Sequence, residues 1–157
     1  MRRARLKMGD KTGKEGEIMA SLSVDGAAAL QLSHEQLASL PDSMLDEMLD
    51  AEAEVVERAQ KNKGRSYGVY RTGMTLESIK RGKKRKTKDG RAVEVAPQGK
   101  NARGSRNAEI AFLNEYGVPK RGIAARPFIR DANEACADEA VQKAYKVYDD
   151  YLNKKGL

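Results

Sequence analysis

Tryptophan is missing from this 157-residue chain, which has only two phenylalanines, one cysteine, one histidine and four prolines. With aromatics at 5% and apolar residues at 39%, the core is expected to be modest, aliphatic and rich in alanine, and no large preformed ligand pocket is expected. The lone Cys136 has no intramolecular disulfide partner, which fits folding in a reducing cytoplasm. The lone His34 lacks the second histidine or clustered cysteines of a metal site, so no metal is expected. No apolar run approaches the roughly 20 residues that span a bilayer. The basic opening Arg2, Arg3, Arg5 and Lys7 has no apolar segment behind it, so it does not read as a secretory signal.

Catalytic motifs are missing too. There is no Gly-x-x-x-x-Gly-Lys-Ser/Thr phosphate loop and no Gly-x-Ser-x-Gly elbow. Cys136 falls within an expected helix and far in sequence from His34, so the two do not make a Cys-His site. A nuclease metal pair would have to be assembled from Glu77, Asp89, Glu94, Glu109 and Glu115, and only Glu115 sits in a constrained setting. We therefore expect no enzyme activity and no cofactor.

Charge is abundant and unevenly placed. Residues 33–62 hold eight carboxylates against Arg58 and Lys61, a balance of −6; residues 63–106 hold fourteen cations against three carboxylates, a balance of +11. A chain with two such sides suits head-to-tail self-association, or a basic face for nucleic acid with the acidic face turned elsewhere. Length fits one domain. Residues 1–20, rich in Arg, Lys, Gly and Asp, read as a flexible basic arm, solvated or ordering on a partner, and 21–157 as a single α+β domain.

Residues 21–32 fit a short strand or a helix equally. Over 33–61, Leu37, Leu40, Met44, Leu45, Met48, Leu49, Val55, Val56 and Ala59 recur at helical spacing, with Pro41 marking the first turn of a main helix and Asp42, Asp46 and Glu47 near its positive end. Residues 63–73, with three glycines, read as a loop; Tyr67 and Tyr70 beside Arg65 and Arg71 stack on bases, meet a neighbouring subunit or lie on their own domain. Residues 76–84 and 91–95 flank Lys88-Asp89-Gly90 as a hairpin. Its tip, with Lys83, Lys84, Arg85, Lys86 and Lys88, is a cationic finger. Three readings of it stand: a solvated tip, a contact to DNA phosphate, or a dock for an acidic partner surface. Residues 98–107 read as a polar loop, mobile or ordered on assembly. A second long helix is expected over 127–154, with Phe128, Ala132, Ala135, Cys136, Ala140, Val141, Ala144, Val147, Tyr148, Tyr151 and Leu152 on one face.

Sequence order is most constrained over 109–132, where both phenylalanines lie. An apolar run, 110–113, ends at Glu115-Tyr116-Gly117, and 108–116 reads as a short helix or a strand, the helix preferred. A cationic turn with Pro119, Lys120, Arg121 and Gly122 follows, and Ala125-Arg126-Pro127-Phe128 leads into the second helix. Gly117 suits a positive φ, and Pro127 the first turn of a helix. Arg126 is either a pinned contact or a solvated loop arginine.

The pattern Glu-aromatic-Gly, a short loop, then Ala-Arg-Pro-Phe-hydrophobic-Arg-x-Ala resembles the hallmark of the HK97 gp10-like family of tailed-phage neck and tail-completion proteins. Upstream, Thr72-Gly73-Met74-Thr75-Leu76-Glu77-Ser78-Ile79 is similar to that family's Thr-Gly-x-Leu-x-x-Ser-Ile segment, with the Leu displaced by one. Val118 stands where the family usually has Thr. The likeness covers about 72–132. It implies a structural virion protein at the head–tail junction, whether neck, tail completion or tail terminator, made in the host cytoplasm. Copies would form a ring around the DNA channel, a hexamer favoured and a dodecamer allowed, against a head–tail connector or stopper protein and the tail tube protein. The resemblance gives Glu115, Tyr116, Gly117, Lys120, Arg121, Arg126, Pro127 and Phe128 as subunit or partner contacts. Some basic residues would face the channel, touching DNA without sequence preference. The expected fold is α+β: a small, mostly antiparallel sheet with a long β-hairpin packed against two long helices. The rival reading is a stand-alone, sequence-independent nucleic-acid-binding protein using the basic hairpin at 80–91.

Overall fold

The computed structural model describes residues 40–69, 73–88 and 90–156. Expectations for the arm at 1–20, for 21–32, for His34 and Leu37, and for Tyr70, Arg71, Thr72 and Asp89 lie outside the described residues. Helix α1 is Asp42–Ser66, and a one-turn helix α2 is Met74–Glu77. Strands β1 (Ile79–Arg81), β2 (Arg85–Thr87), β3 (Gly90–Ala92) and β4 (Val95–Pro97) follow, then helices α3 (Asn107–Tyr116) and α4 (Phe128–Lys155). The architecture is α+β, with two long antiparallel helices and an antiparallel hairpin along one of them.

The α1–α4 pair is built on four-residue steps. Met44, Met48, Glu52, Val56, Gln60 and Gly64 form a buried row on α1, and Ala132, Cys136, Ala140 and Ala144 form a row of small buried residues on α4. Small side chains let the two backbones approach closely, so an aromatic-poor chain still fills its interior. Gln60 Nε2 donates to Asn133 Oδ1 at 2.9 Å across the interface and fixes the helix register at a buried point. Phe128, Leu76 and Ile79 are the largest apolar side chains that are fully enclosed; burying one such chain contributes about 2–3 kcal/mol.

Helix α1 runs through Lys63, Gly64, Arg65 and Ser66, which the glycine content had marked as loop. Gly64 is there for clearance: a Cβ would lie 2.3 Å from Leu76 Cδ2 and 3.2 Å from Phe128 Cδ2. The helix stops one turn later. Gly68 takes φ 71°, Val69 N–H donates to Gly64 O at 2.8 Å and Gly68 N–H to Arg65 O at 3.1 Å, a Schellman ending with buried Val69 as its apolar contact.

The first arm of the hairpin is shorter than expected, because residues 74–77 coil into α2 to drop Leu76 against Gly64. Strand pairing begins at Ile79, opposite Pro97. The ladder Ile79–Arg81 with Val95–Pro97 and the ladder Arg85–Thr87 with Gly90–Ala92 are separated by three residues on one arm and two on the other. That extra residue is a bulge, bridged by Gly82 N–H to Glu94 O at 2.7 Å, and it re-aims the tip. The loop expected to be mobile or ordered on assembly over 98–107 is bonded to itself. Asn101 Oδ1 accepts from Arg103 N–H and Ser105 N–H, and Asn107 donates Nδ2–H to Gln98 O. No described helix is long and apolar enough to cross a membrane.

Candidate assembly surface

Helix α3 ends at Gly117, whose φ of 70° and ψ of 179° define a conformation open to glycine alone. Space excludes a side chain as well, since a Cβ would lie 2.6 Å from both Ala125 N and Ile123 O. The chain then closes a small turn. Val118 and Ile123 exchange backbone hydrogen bonds of 2.8 and 3.1 Å around one turn of 3-10 helix, Pro119–Arg121. On return, Arg126 N–H donates to Asn114 O at 2.6 Å and Arg126 Nη1 to Gly68 O at 3.1 Å. Arg126 is thus a pinned contact, joining the turn to the end of α1.

Glu115 completes the clamp. Its carboxylate, 8% exposed, accepts Ile129 N–H at 2.9 Å and Arg130 N–H at 3.0 Å, one oxygen each. A carboxylate fourteen residues upstream therefore caps α4, where unpaired donors and the helix dipole both favour negative charge. Phe128 N–H donates to Arg126 O at 2.7 Å, and Pro127 has no N–H to satisfy. Every N–H of the first turn is accounted for. Nearby, Tyr67 Oη donates to Asp131 Oδ2 at 2.5 Å. That bond, ahead of other causes, holds the Asp131 carboxyl below its ordinary range and raises the Tyr67 hydroxyl. Tyr67 lies on its own domain.

Of the eight residues expected as contacts, Glu115 and Phe128 point inward, Gly117 and Pro127 set the backbone, and Arg126 is tied down. Tyr116, Lys120 and Arg121 stand on the surface. In the same stretch of chain, Phe112, Leu113, Tyr116 and Ile123 are each between 40% and 48% exposed. The Phe112 and Tyr116 rings, one helical turn apart, lie 4.7 Å between centroids. Lys120 and Arg121 make no ion pair among the described residues. Exposed apolar side chains at the end of α3, followed by two unpaired cations on a turn held at both ends, suit contact with another protein.

No family model, curated protein or solved structure matches this chain. Function therefore rests on residues and geometry.

The basic hairpin differs most from its sequence reading. It lies along the acidic side of α1 with its tip toward the helix N-terminus. Arg81 pairs with Glu57 at 3.5 Å, Lys84 with Asp50, and Lys86 with Asp42 at 3.9 Å. Arg91 grips Asp46 through Nε at 2.5 Å and Nη2 at 2.8 Å, and reaches Asp42 at 3.3 Å. The Asp46 hydrogen bond is the leading cause that raises the Arg91 guanidinium above its ordinary value. Sequence reasoning placed the two charge blocks on opposite faces; the fold sets one against the other. The i, i+4 spacing of Asp42, Asp46 and Asp50 was the signal that could have shown this. Lys83 and Lys88 are exposed and without an ion pair among the described residues, while Arg85 is engaged. Cys136 is buried, and burial pushes its thiol up. Among the described residues no three of His, Cys, Asp and Glu gather as metal ligands.

Proposed function

We propose that this chain is a structural subunit of a tailed-phage virion, at the head–tail junction or the top of the tail, which assembles with its own copies into a ring around the DNA channel. The resemblance over 72–132 motivates that reading. The observation that carries it here is the clamped turn after α3: Glu115, Gly117 and Arg126 fix a rigid platform, and the platform presents Phe112, Leu113, Tyr116 and Ile123 beside Lys120 and Arg121. Rigid presentation lowers the ordering cost of association. A six-membered ring is preferred over twelve, with the connector or stopper protein and the tail tube protein as neighbours, and the virion as its final location. Channel DNA would be touched without sequence preference.

The nucleic-acid-binding alternative loses support from the hairpin, where Arg81, Lys84, Lys86 and Arg91 are engaged by carboxylates of α1. Phosphate contact would have to break those pairs or rely on what is left of the tip. Light scattering of the purified protein, alone and with the tail tube protein, at low and high salt, tests both readings. A mass near six or twelve times 17.3 kDa is expected for the ring. A persistent monomer that ignores the tube protein and binds duplex DNA with submicromolar affinity at physiological salt would overturn it.

A further inference from the structure

We infer that the ring is closed by a head-to-tail contact in which the apolar side chains around Phe112 and Tyr116, with Lys120 and Arg121, seat the outer flank of α4 of the next copy at Glu134, Ala137 and Asp138. This rests on the ring reading and names the two surfaces involved.

The first surface needs an occupant that supplies both apolar cover and negative charge. Its aromatic pair and Leu113 leave apolar area in water, and its two cations have no carboxylate of their own. The second surface has the matching chemistry. On α4, Glu134, Ala137, Asp138 and Val141 follow one another at three-, one- and three-residue steps, so they share one side of the helix. Glu134 and Asp138 are exposed and in no ion pair among the described residues, Glu134 acting only through space on Arg130 one turn back, whereas Glu139 is taken by Arg58. Half-buried Ala137 lies between the two carboxylates, while Val141, beyond Asp138, packs in part against the Met44, Met48 and Ala144 cluster of its own chain. Ala137 is short enough for an aromatic ring to approach the helix backbone.

Of the α1 carboxylates, Asp42, Asp46, Asp50 and Glu57 are engaged by the hairpin, while Glu47 and Glu54 are exposed without an ion pair among the described residues and form a second acidic flank, which charge exchange at Glu134 and Asp138 separates from α4. The two surfaces are different parts of the chain. Contact between them is heterologous, and repetition of a heterologous contact closes into a ring or runs on as a filament. A twofold dimer would pair the same two surfaces reciprocally, and the assembled mass separates that arrangement from a ring.

Charge exchange tests this. One variant carries K120E and R121E, the other E134K and D138K, and both are checked against wild type for helical circular dichroism and thermal midpoint. Under conditions in which wild type assembles, each variant alone is expected to run as a monomer of 17.3 kDa, and an equimolar mixture to recover the wild-type mass, because each swapped surface then meets its complement. Should a double variant fail to fold, the single changes R121E and E134K carry the same comparison. If either folded variant assembles alone as wild type does, or if the mixture stays monomeric, the assignment of these surfaces is wrong while the ring stands. If wild type never exceeds a monomer, with or without the tube protein, the ring itself is lost.

Discussion

Replacing Glu115 by glutamine keeps the side chain's size and removes its charge, which isolates what the carboxylate does for α4. In the wild type the two oxygens accept Ile129 N–H at 2.9 Å and Arg130 N–H at 3.0 Å inside a buried setting. A hydrogen bond to a charged group contributes about 1.5–3 kcal/mol, and a partly buried charge at a helix end up to about 2 kcal/mol. Glutamine keeps one carbonyl oxygen for one N–H and turns an amide donor toward the other, so one bond is lost and the other weakened. We expect a loss of about 2–4 kcal/mol for Glu115→Gln and more for Glu115→Ala, which leaves the buried Ile129 N–H without a partner. For a chain of this length that loss lowers the thermal midpoint by very roughly 4–16 °C. Urea unfolding followed by circular dichroism measures it, at a dilution where the protein is monomeric. An unchanged monomer midpoint in both variants, with assembly abolished, would show that Glu115 meets a partner and that the cap is not its role.

Gly64→Ala sets a methyl group 2.3 Å from Leu76 Cδ2, in a core where Leu76 has no room to turn, so a loss of about 1–3 kcal/mol is expected by urea titration. Burial moves the Glu52 carboxyl from 4.5 to about 7, so the folded state holds its proton more tightly than the unfolded one. That favours folding below pH 4.5 and is lost as pH rises toward 7, a change of about 3 kcal/mol. Glu52→Gln should therefore stabilise the monomer by up to about 3 kcal/mol at pH 8 and leave it unchanged near pH 4, read from unfolding curves at the two pH values. Arg91→Ala removes the two-pronged grip on Asp46 and should lower the urea midpoint at low salt, with part of that difference disappearing at 1 M salt.

The long helices were legible because their apolar residues repeat at a period that only a helix can use on one side. The second helix, expected over 127–154, is Phe128–Lys155. The helix ending at Tyr116 also agrees. What was misread turned on glycine. Gly64 looks like a loop residue in sequence, yet it serves an approach between α1 and Leu76 that only the folded neighbours define. The same contact explains why residues 74–77 coil rather than extend. Gln60 and Asn133 were invisible for a related reason: each is an ordinary polar residue until the helices face one another. At the clamp, Gly117 and Pro127 were legible from their backbone demands, whereas the cap by Glu115 needs a fold that returns α4 to the end of α3.

The clamp also changes how a disturbance of this loop should be interpreted. Glu115, Gly117 and Phe128 act within the chain, by capping, by an exclusive backbone conformation and by filling the core. Altering any of them deforms the platform on which Tyr116, Lys120 and Arg121 sit, so assembly would fail by way of the monomer. Altering Lys120 or Arg121 removes no internal ion pair and should leave the monomer as stable as before, since surface changes of this kind usually move stability by less than about 0.5 kcal/mol. The two groups therefore separate on a plot of monomer stability against assembled fraction. Clamp positions lose both together, and rim positions lose the second alone. On the proposed ring reading, the internal residues of this motif set the shape of the platform, and the surface residues between them meet the neighbouring copy.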